Sequence, residues 1–254
     1  MSDMLQAAIL ADDADALRSS LEHISTAELQ KTLNTNLEFA MSHSSLKAIS
    51  LLFSLGARTK VIPFCNAITR EDTGVFQALC NGGWNIDSTQ HEYAAIHFAV
   101  EQPTLLRWLL DHGANPNTLS VRHPGSCSPY ERPLSVAAEL TNAESLTILL
   151  SYGATDHMAI YHAIGLRRQN NGTATMQALI DHGIDINYLD RRRGTPLRQA
   201  VHVGDEEKLK WLLDHGADPH AKNPESTSAL ERAKQMGRSH FVAIIEAASG
   251  MMGP

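Results

Sequence analysis

Short apolar bursts with helical spacing punctuate this chain, and each is closed by a glycine. In Asp205-Glu206-Glu207-Lys208-Leu209-Lys210-Trp211-Leu212-Leu213-Asp214 the leucines stand at i, i+3 and i+4, one stripe of an amphipathic helix. Asp205 is placed to cap its start, and acidic residues fill the first turn, where the macrodipole favours them. Gly216 offers the left-handed conformation that ends such a helix. Upstream, Gly194-Thr195-Pro196-Leu197 reads as a turn, a cap and a proline at the first helical position. This predicts a short helix from Pro196 to His202, with Gly204 turning the chain back into the next.

The unit recurs. Trp108-Leu109-Leu110-Asp111-His112-Gly113-Ala114-Asn115-Pro116-Asn117 is matched about a repeat series later by Trp211-Leu212-Leu213-Asp214-His215-Gly216-Ala217-Asp218-Pro219-His220. Leu149 to Asp156 and Leu179 to Asn187 carry weaker copies between them. With the closing glycine as phase mark, Gly56, Gly83, Gly113, Gly153, Gly183 and Gly216 are separated by 27, 30, 40, 30 and 33 residues. Leu37 to Met41 with Leu46 to Leu55, and Phe64 to Thr69 with Val75 to Cys80, read as two further helix pairs. Met4 to Leu10 with Ala14 to Leu21 reads as an N-terminal cap, and Ser228 to Met236 with Ser239 to Ala248 as the C-terminal one. End units of stacked repeats are expected to be atypical, since one face meets water.

Helix, tight turn, helix and extended loop, at about 33 residues with a Thr-Pro-Leu signature, is the ankyrin pattern, and this chain resembles the ankyrin-repeat family over nearly its whole length. The fullest match to the family's Gly-x-Thr-Pro-Leu-x-x-Ala is Gly194-Thr195-Pro196-Leu197-Arg198-Gln199-Ala200, with Arg198 where the family usually has histidine. Ala95-Ile96-His97-Phe98-Ala99 keeps the histidine, and Arg132-Pro133-Leu134-Ser135-Val136-Ala137-Ala138 keeps Pro-Leu. The resemblance implies an all-α solenoid of about eight helix-turn-helix units, atypical end caps included. Its expected layout is a capping helix pair over 1–23, the array over 24–248 and a disordered tail over 249–254.

Composition narrows the class. The 254 residues are 43% hydrophobic and 19% charged, with a formal net charge of −7. That is ordinary for a folded chain and offers nucleic acid or bilayers no basic field. Cys65, Cys80 and Cys127 make an odd set with no Cys-x-x-Cys pair, which suits a reducing interior, cytoplasmic or nuclear. The start, Met1-Ser2-Asp3-Met4, lacks a basic segment followed by an apolar run, and no apolar stretch approaches a membrane span.

The resemblance implies that partners are held on a concave face and on the projecting loops, or fingers, so departures in the fingers carry the functional signal. The 40-residue spacing holds an inserted loop, 118–132, roughly seven residues beyond a standard repeat. Its Pro, Gly and Ser content marks a loop, while Arg122, His123, Tyr130 and Arg132 are residue types enriched at interfaces. At the next junction Asp156-His157-Met158-Ala159 runs almost directly into a helix, leaving little finger. Asp190-Arg191-Arg192-Arg193-Gly194 then puts three arginines on one tip. Arginine forks pair with carboxylates and phosphates, although charged loop tips are commonly just solvated surface.

Thirteen histidines raise the question of metal or acid–base chemistry. His112, His182 and His215 share the Asp-His-Gly position near a helix end, a structural place, and His97 holds the family's internal hydrogen-bonding position. His157 and His162 are five apart, not the spacing that aligns two ligands on a helix. No metalloprotease, nucleophile-elbow, P-loop or dinucleotide motif occurs. The expectation is therefore a non-catalytic protein-binding scaffold or adaptor with no metal and no cofactor. Its candidate contacts are Arg122, His123, Tyr130, Arg132, Arg191, Arg192 and Arg193, facing an acidic or phosphorylated segment of a protein partner. The alternative is small-molecule binding or catalysis in a notch around 118–132 and 155–162, if His123, Tyr130, His157 and His162 converge.

Overall fold

The computed structural model describes residues 2–43, 45–58, 72–89, 94–120, 131–165, 172–222, 224 and 227–251. Among them are fifteen α-helices and no strand. They fall into two compact units, Met1–Tyr130 and Glu131–Pro254, so the array expected from 24 to 248 divides inside the inserted loop. No described helix is long and apolar enough to cross a membrane.

The first unit contains α1 (Ser2–Leu10), α2 (Ala14–Leu21), α3 (Thr26–Ser42), α4 (Leu46–Ser54), α5 (Thr73–Asn81), α6 (Ala95–Phe98, continued by a 3₁₀ turn) and α7 (Pro103–Asp111). The capping pair α1 and α2 packs on α3 and α4. The α4 start has no cap bond from Ser45. Instead Asp12, held at φ +48°, accepts the Lys47 and Ala48 N–H groups at 2.9 and 3.1 Å. α3 is longer than the pattern marks, because Leu33, Leu37 and Met41 form a buried i, i+4 row along it that reaches well upstream of Leu37.

The second unit contains α8 (Pro133–Ala137), α9 (Glu144–Ser151), α10 (Ala159–Ile164), α11 (Gly172–Asp181), α12 (Pro196–Val203), α13 (Glu206–Asp214), α14 (Ala229–Gln235) and α15 (Ser239–Met251). α15 continues through Ser249 and Gly250 to Met251, residues expected in a disordered tail. α12 is the hub, packed on α10, α13 and α14. α13 buries a leucine face of Leu209, Leu212 and Leu213, whereas the leucine-free α10 is buried along its whole length. The helix expected over Phe64 to Thr69 lies outside the described residues.

The phase-marking glycines all have positive φ, from +78° to +90°, as a left-handed helix end requires. The Asp-His-Gly histidines before them finish the helices. Nδ1 of His112, His182 and His215 lies 2.7–2.8 Å from the carbonyl four residues earlier, so it carries the proton and donates. The rings of His112 and His215 stack on Trp108 and Trp211 at 3.8 Å. His43 Nδ1 likewise bonds Phe39 O at 2.8 Å, with its ring tilted 34° to the Phe39 ring at 4.2 Å. These are structural histidines, each adding a side-chain bond to a carbonyl in the last turn of its helix; Trp108 O and Trp211 O also accept the backbone N–H of His112 and His215.

After Gly83, Gly113, Gly183 and Gly216 an Asn or Asp starts the next finger with a side-chain turn. Asn85, Asn115, Asp185 and Asp218 each accept the N–H two residues on, at 2.8–3.0 Å. Adjacent fingers are then linked by side chain to backbone. Asp87 accepts Asn115 N–H in the first unit, and Asn187 accepts Asp218 N–H while donating to Gly216 O in the second.

Candidate functional site

The arginine finger is built from its ends inward. Asp190 and Gly194 exchange two backbone bonds, 3.1 and 2.9 Å, closing the turn, and Gly194 takes φ +73°. The Asp190 carboxylate accepts the N–H groups of Arg192 and Arg193 at 3.0 and 2.7 Å. Beneath lies Tyr161 of α10, fully buried. Its hydroxyl reaches the carbonyls of Tyr188 and Gly194 and accepts Asp190 N–H at 3.3 Å. Burial pushes this phenol well above its ordinary range, so it stays a donor.

From this base the finger faces an open groove of about 470 Å³, lined by Arg192, Arg193, Arg198, His202, Val203 and Arg232, with Gly165 and Gln199 completing it. Arg198 and His202 come from one face of α12, four residues apart. Arg232 comes from α14, one repeat beyond Arg198. Arg198 bridges outward, donating to Arg193 O and, at 3.2 Å, to Thr227 Oγ1. Nη2 of Arg232 donates to His202 Nδ1 at 3.0 Å, and its Nε is buried with no hydrogen-bond partner among the described residues. Arg238 approaches His202 O at 3.4 Å and lies over the Phe241 ring. Arg198 is held below its ordinary range by burial and then by Arg232. His202 is depressed by partial desolvation and then by Arg232, Arg198 and Arg238.

A family model described as ankyrin repeats in three copies matches residues 134–223. The solved ankyrin-repeat domain of Bcl-3 superposes with a TM-score of 0.57 at 24% identity, over 84% of this chain and 85% of that one. The human ASB11 ankyrin domain gives 0.57 at 20% identity, over 73% and 83%. The chain has the ankyrin-repeat fold. Among curated proteins it is 39% identical over 72 residues to a putative E3 ubiquitin-protein ligase, XBAT35 of Arabidopsis thaliana. It is 28% identical over 128 residues to ankyrin repeat and SOCS box protein 11 of Danio rerio. Those stretches cover 28% and 48% of this chain, but only 16% and 42% of the relatives' own lengths.

Within the ankyrin frame the sequence-derived candidates separate. Arg192 and Arg193 line the groove, and Arg191 is exposed at the finger tip. Arg132 is the half-buried N-cap position of α8 and is not part of the groove lining. Arg122, His123 and Tyr130 lie outside the described residues. The notch alternative needs His157 and His162 to converge, and the Nδ1 atom of each is engaged by a different partner. His157 stacks on Tyr188 at 4.8 Å and its Nδ1 accepts Asp185 N–H at 3.3 Å. His162 is buried, with Nδ1 2.6 Å from Glu139 Oε1.

Sequence reasoning missed Arg198, His202 and Arg232 as site residues. The signal was present: Arg198 and Arg232 are 34 residues apart, one repeat length, and so occupy equivalent positions on successive helices. Only the fold says that the finger tip leans over them.

Proposed function

We propose that this chain is a non-catalytic binding module, a scaffold or adaptor inside the cell that holds a negatively charged segment of a protein partner in the arginine groove of its second unit. The observation that carries this reading is the convergence of Arg192, Arg193, Arg198 and Arg232 on one open groove of about 470 Å³ in a chain of net charge −7. Guanidiniums are weakly hydrated and fork-shaped, suited to pairing across an interface. Ankyrin repeats generally mediate protein–protein interaction, and nearest-neighbour packing keeps the fold stable while finger residues vary. The three cysteines without a pairing pattern suit a reducing compartment. The adaptor role is supported by relatives in which the matched repeats are one part of a longer chain.

Affinity capture from the native source lysate, with wild type beside R192E/R232E, tests it. Proteins retained by wild type and lost by the variant are expected, with unchanged circular dichroism. Identical captured sets from both baits would end the proposal.

A further inference from the structure

Among the described residues the groove gathers four arginines, Arg192, Arg193, Arg198 and Arg232, and Asp190, beside Arg193, is the one carboxylate paired with any of them. No carboxylate among the described residues is bonded to Arg198, Arg232 or Arg238; their polar partners are Arg193 O, Thr227 Oγ1, His202 Nδ1 and His202 O. Asp190, 3.8 Å from Arg193, already accepts two backbone N–H groups. Among the described residues no side-chain bond is made by the Arg192 guanidinium, and Arg232 Nε is buried without a partner. Like charges brought together in this way repel, and an external anion would relieve them.

We propose that the groove receives the phosphate of a phosphorylated serine or threonine on the partner, seated between Arg192 and Arg232 with His202 at its side. This rests on the protein-binding reading above. The donors arrive from three elements: the finger (Arg192, Arg193), α12 (Arg198, His202) and α14 (Arg232). A carboxylate offers two coplanar oxygens, which one guanidinium fork satisfies. A phosphomonoester offers three strong acceptor oxygens and about −1.5 to −2 charges at neutral pH, which suits donors spread around a point. The carrier is a polypeptide because the groove is also apolar at its edge. Val203 lines it at 42% exposure, and Leu189, 38% exposed, precedes the finger; both can take side chains flanking a phosphoresidue. Polyanionic nucleic acid and acidic bilayers are disfavoured by the chain's net −7.

The test uses the full chain and fluorescent peptide pools, degenerate around a central phosphothreonine or phosphoserine, the unmodified residue, or glutamate. The phosphorylated pools should bind at least about tenfold more tightly than the glutamate pool, as a second charge and third acceptor imply. That advantage should vanish in R192Q and R232Q. R192Q sits in an exposed turn, so it tests the site without threatening the fold. Equal binding of the glutamate pool, or a phosphate preference that survives both variants, overturns the proposal. So does preferential binding to phosphatidylcholine vesicles carrying phosphatidylinositol phosphates, which would make the source a lipid. Phosphatase treatment of the lysate separates the two readings. A partner lost by R192E/R232E but still captured after dephosphorylation leaves the protein-binding reading standing and removes the phosphate. A partner indifferent to R192E/R232E removes both.

Discussion

Tyr161 fixes the finger more than any arginine displayed on it. Its hydroxyl meets Tyr188 O, Gly194 O and Asp190 N–H from below, so the two ends of the turn share one buried anchor. Tyr161→Phe should cost about 1–2 kcal/mol, since it strips partners from buried backbone groups. Amide exchange over 188–194 should speed up while the helices stay protected; unchanged exchange there would show that the backbone bridge suffices. His202 supplies the second test at this scale. Its folded pKa lies below the ordinary value near 6.5, through partial desolvation and then Arg232, Arg198 and Arg238. The unfolded chain therefore binds the proton first. The stabilising contribution of the neutral ring is full above the ordinary value, and is lost as pH falls from there toward the depressed folded value. Arg232→Gln should raise the His202 pKa in an NMR titration, and no movement would contradict the placement of Arg232.

At the scale of elements, Asp205 serves two helices. It caps α13 by accepting Lys208 N–H at 3.0 Å, and its carboxylate lies 3.3 Å from Lys208 Nζ. That ammonium is buried and donates to Ile164 O, at the end of α10, at 3.1 Å. Asp205→Ala should lose about 2–4 kcal/mol in urea unfolding, a cap plus the penalty of a buried charge with its counter-ion removed. Asp205→Asn, which keeps the cap, should recover part of that. A loss below about 0.5 kcal/mol would place Asp205 among ordinary surface positions. The cap itself is readable from the sequence, because acidic residues before an apolar stripe have a local meaning. The destination of Lys208 is not, since Ile164 stands 44 residues away and nothing in the intervening pattern marks it. α3 shows the same limit: Ser25 makes no side-chain cap bond, and neither proline nor glycine announces the start.

Across the whole molecule, the repeat was legible because successive units restate one solution: an apolar stripe closed by a left-handed glycine. His112, His182 or His215 precedes that glycine in three of them, and Asn or Asp follows after Gly83, Gly113, Gly183 and Gly216. The site was half legible. Arg191, Arg192 and Arg193 stand out as a run, whereas Arg198 and Arg232 look like isolated surface charges until successive helices are laid side by side. The pattern also gives no warning that the chain divides into two units within the inserted loop. The aromatic residues turn that division to practical use. Trp84 and Trp108 belong to the first unit, and Trp211, stacked on His215, is the sole tryptophan of residues 131–254. With Trp84 and Trp108 replaced by phenylalanine, the chain's ultraviolet emission comes from one indole, on the helix that follows the arginine-bearing α12. The half of the molecule that holds the groove thus contains its own optical label, and its melting can be watched without attaching a dye.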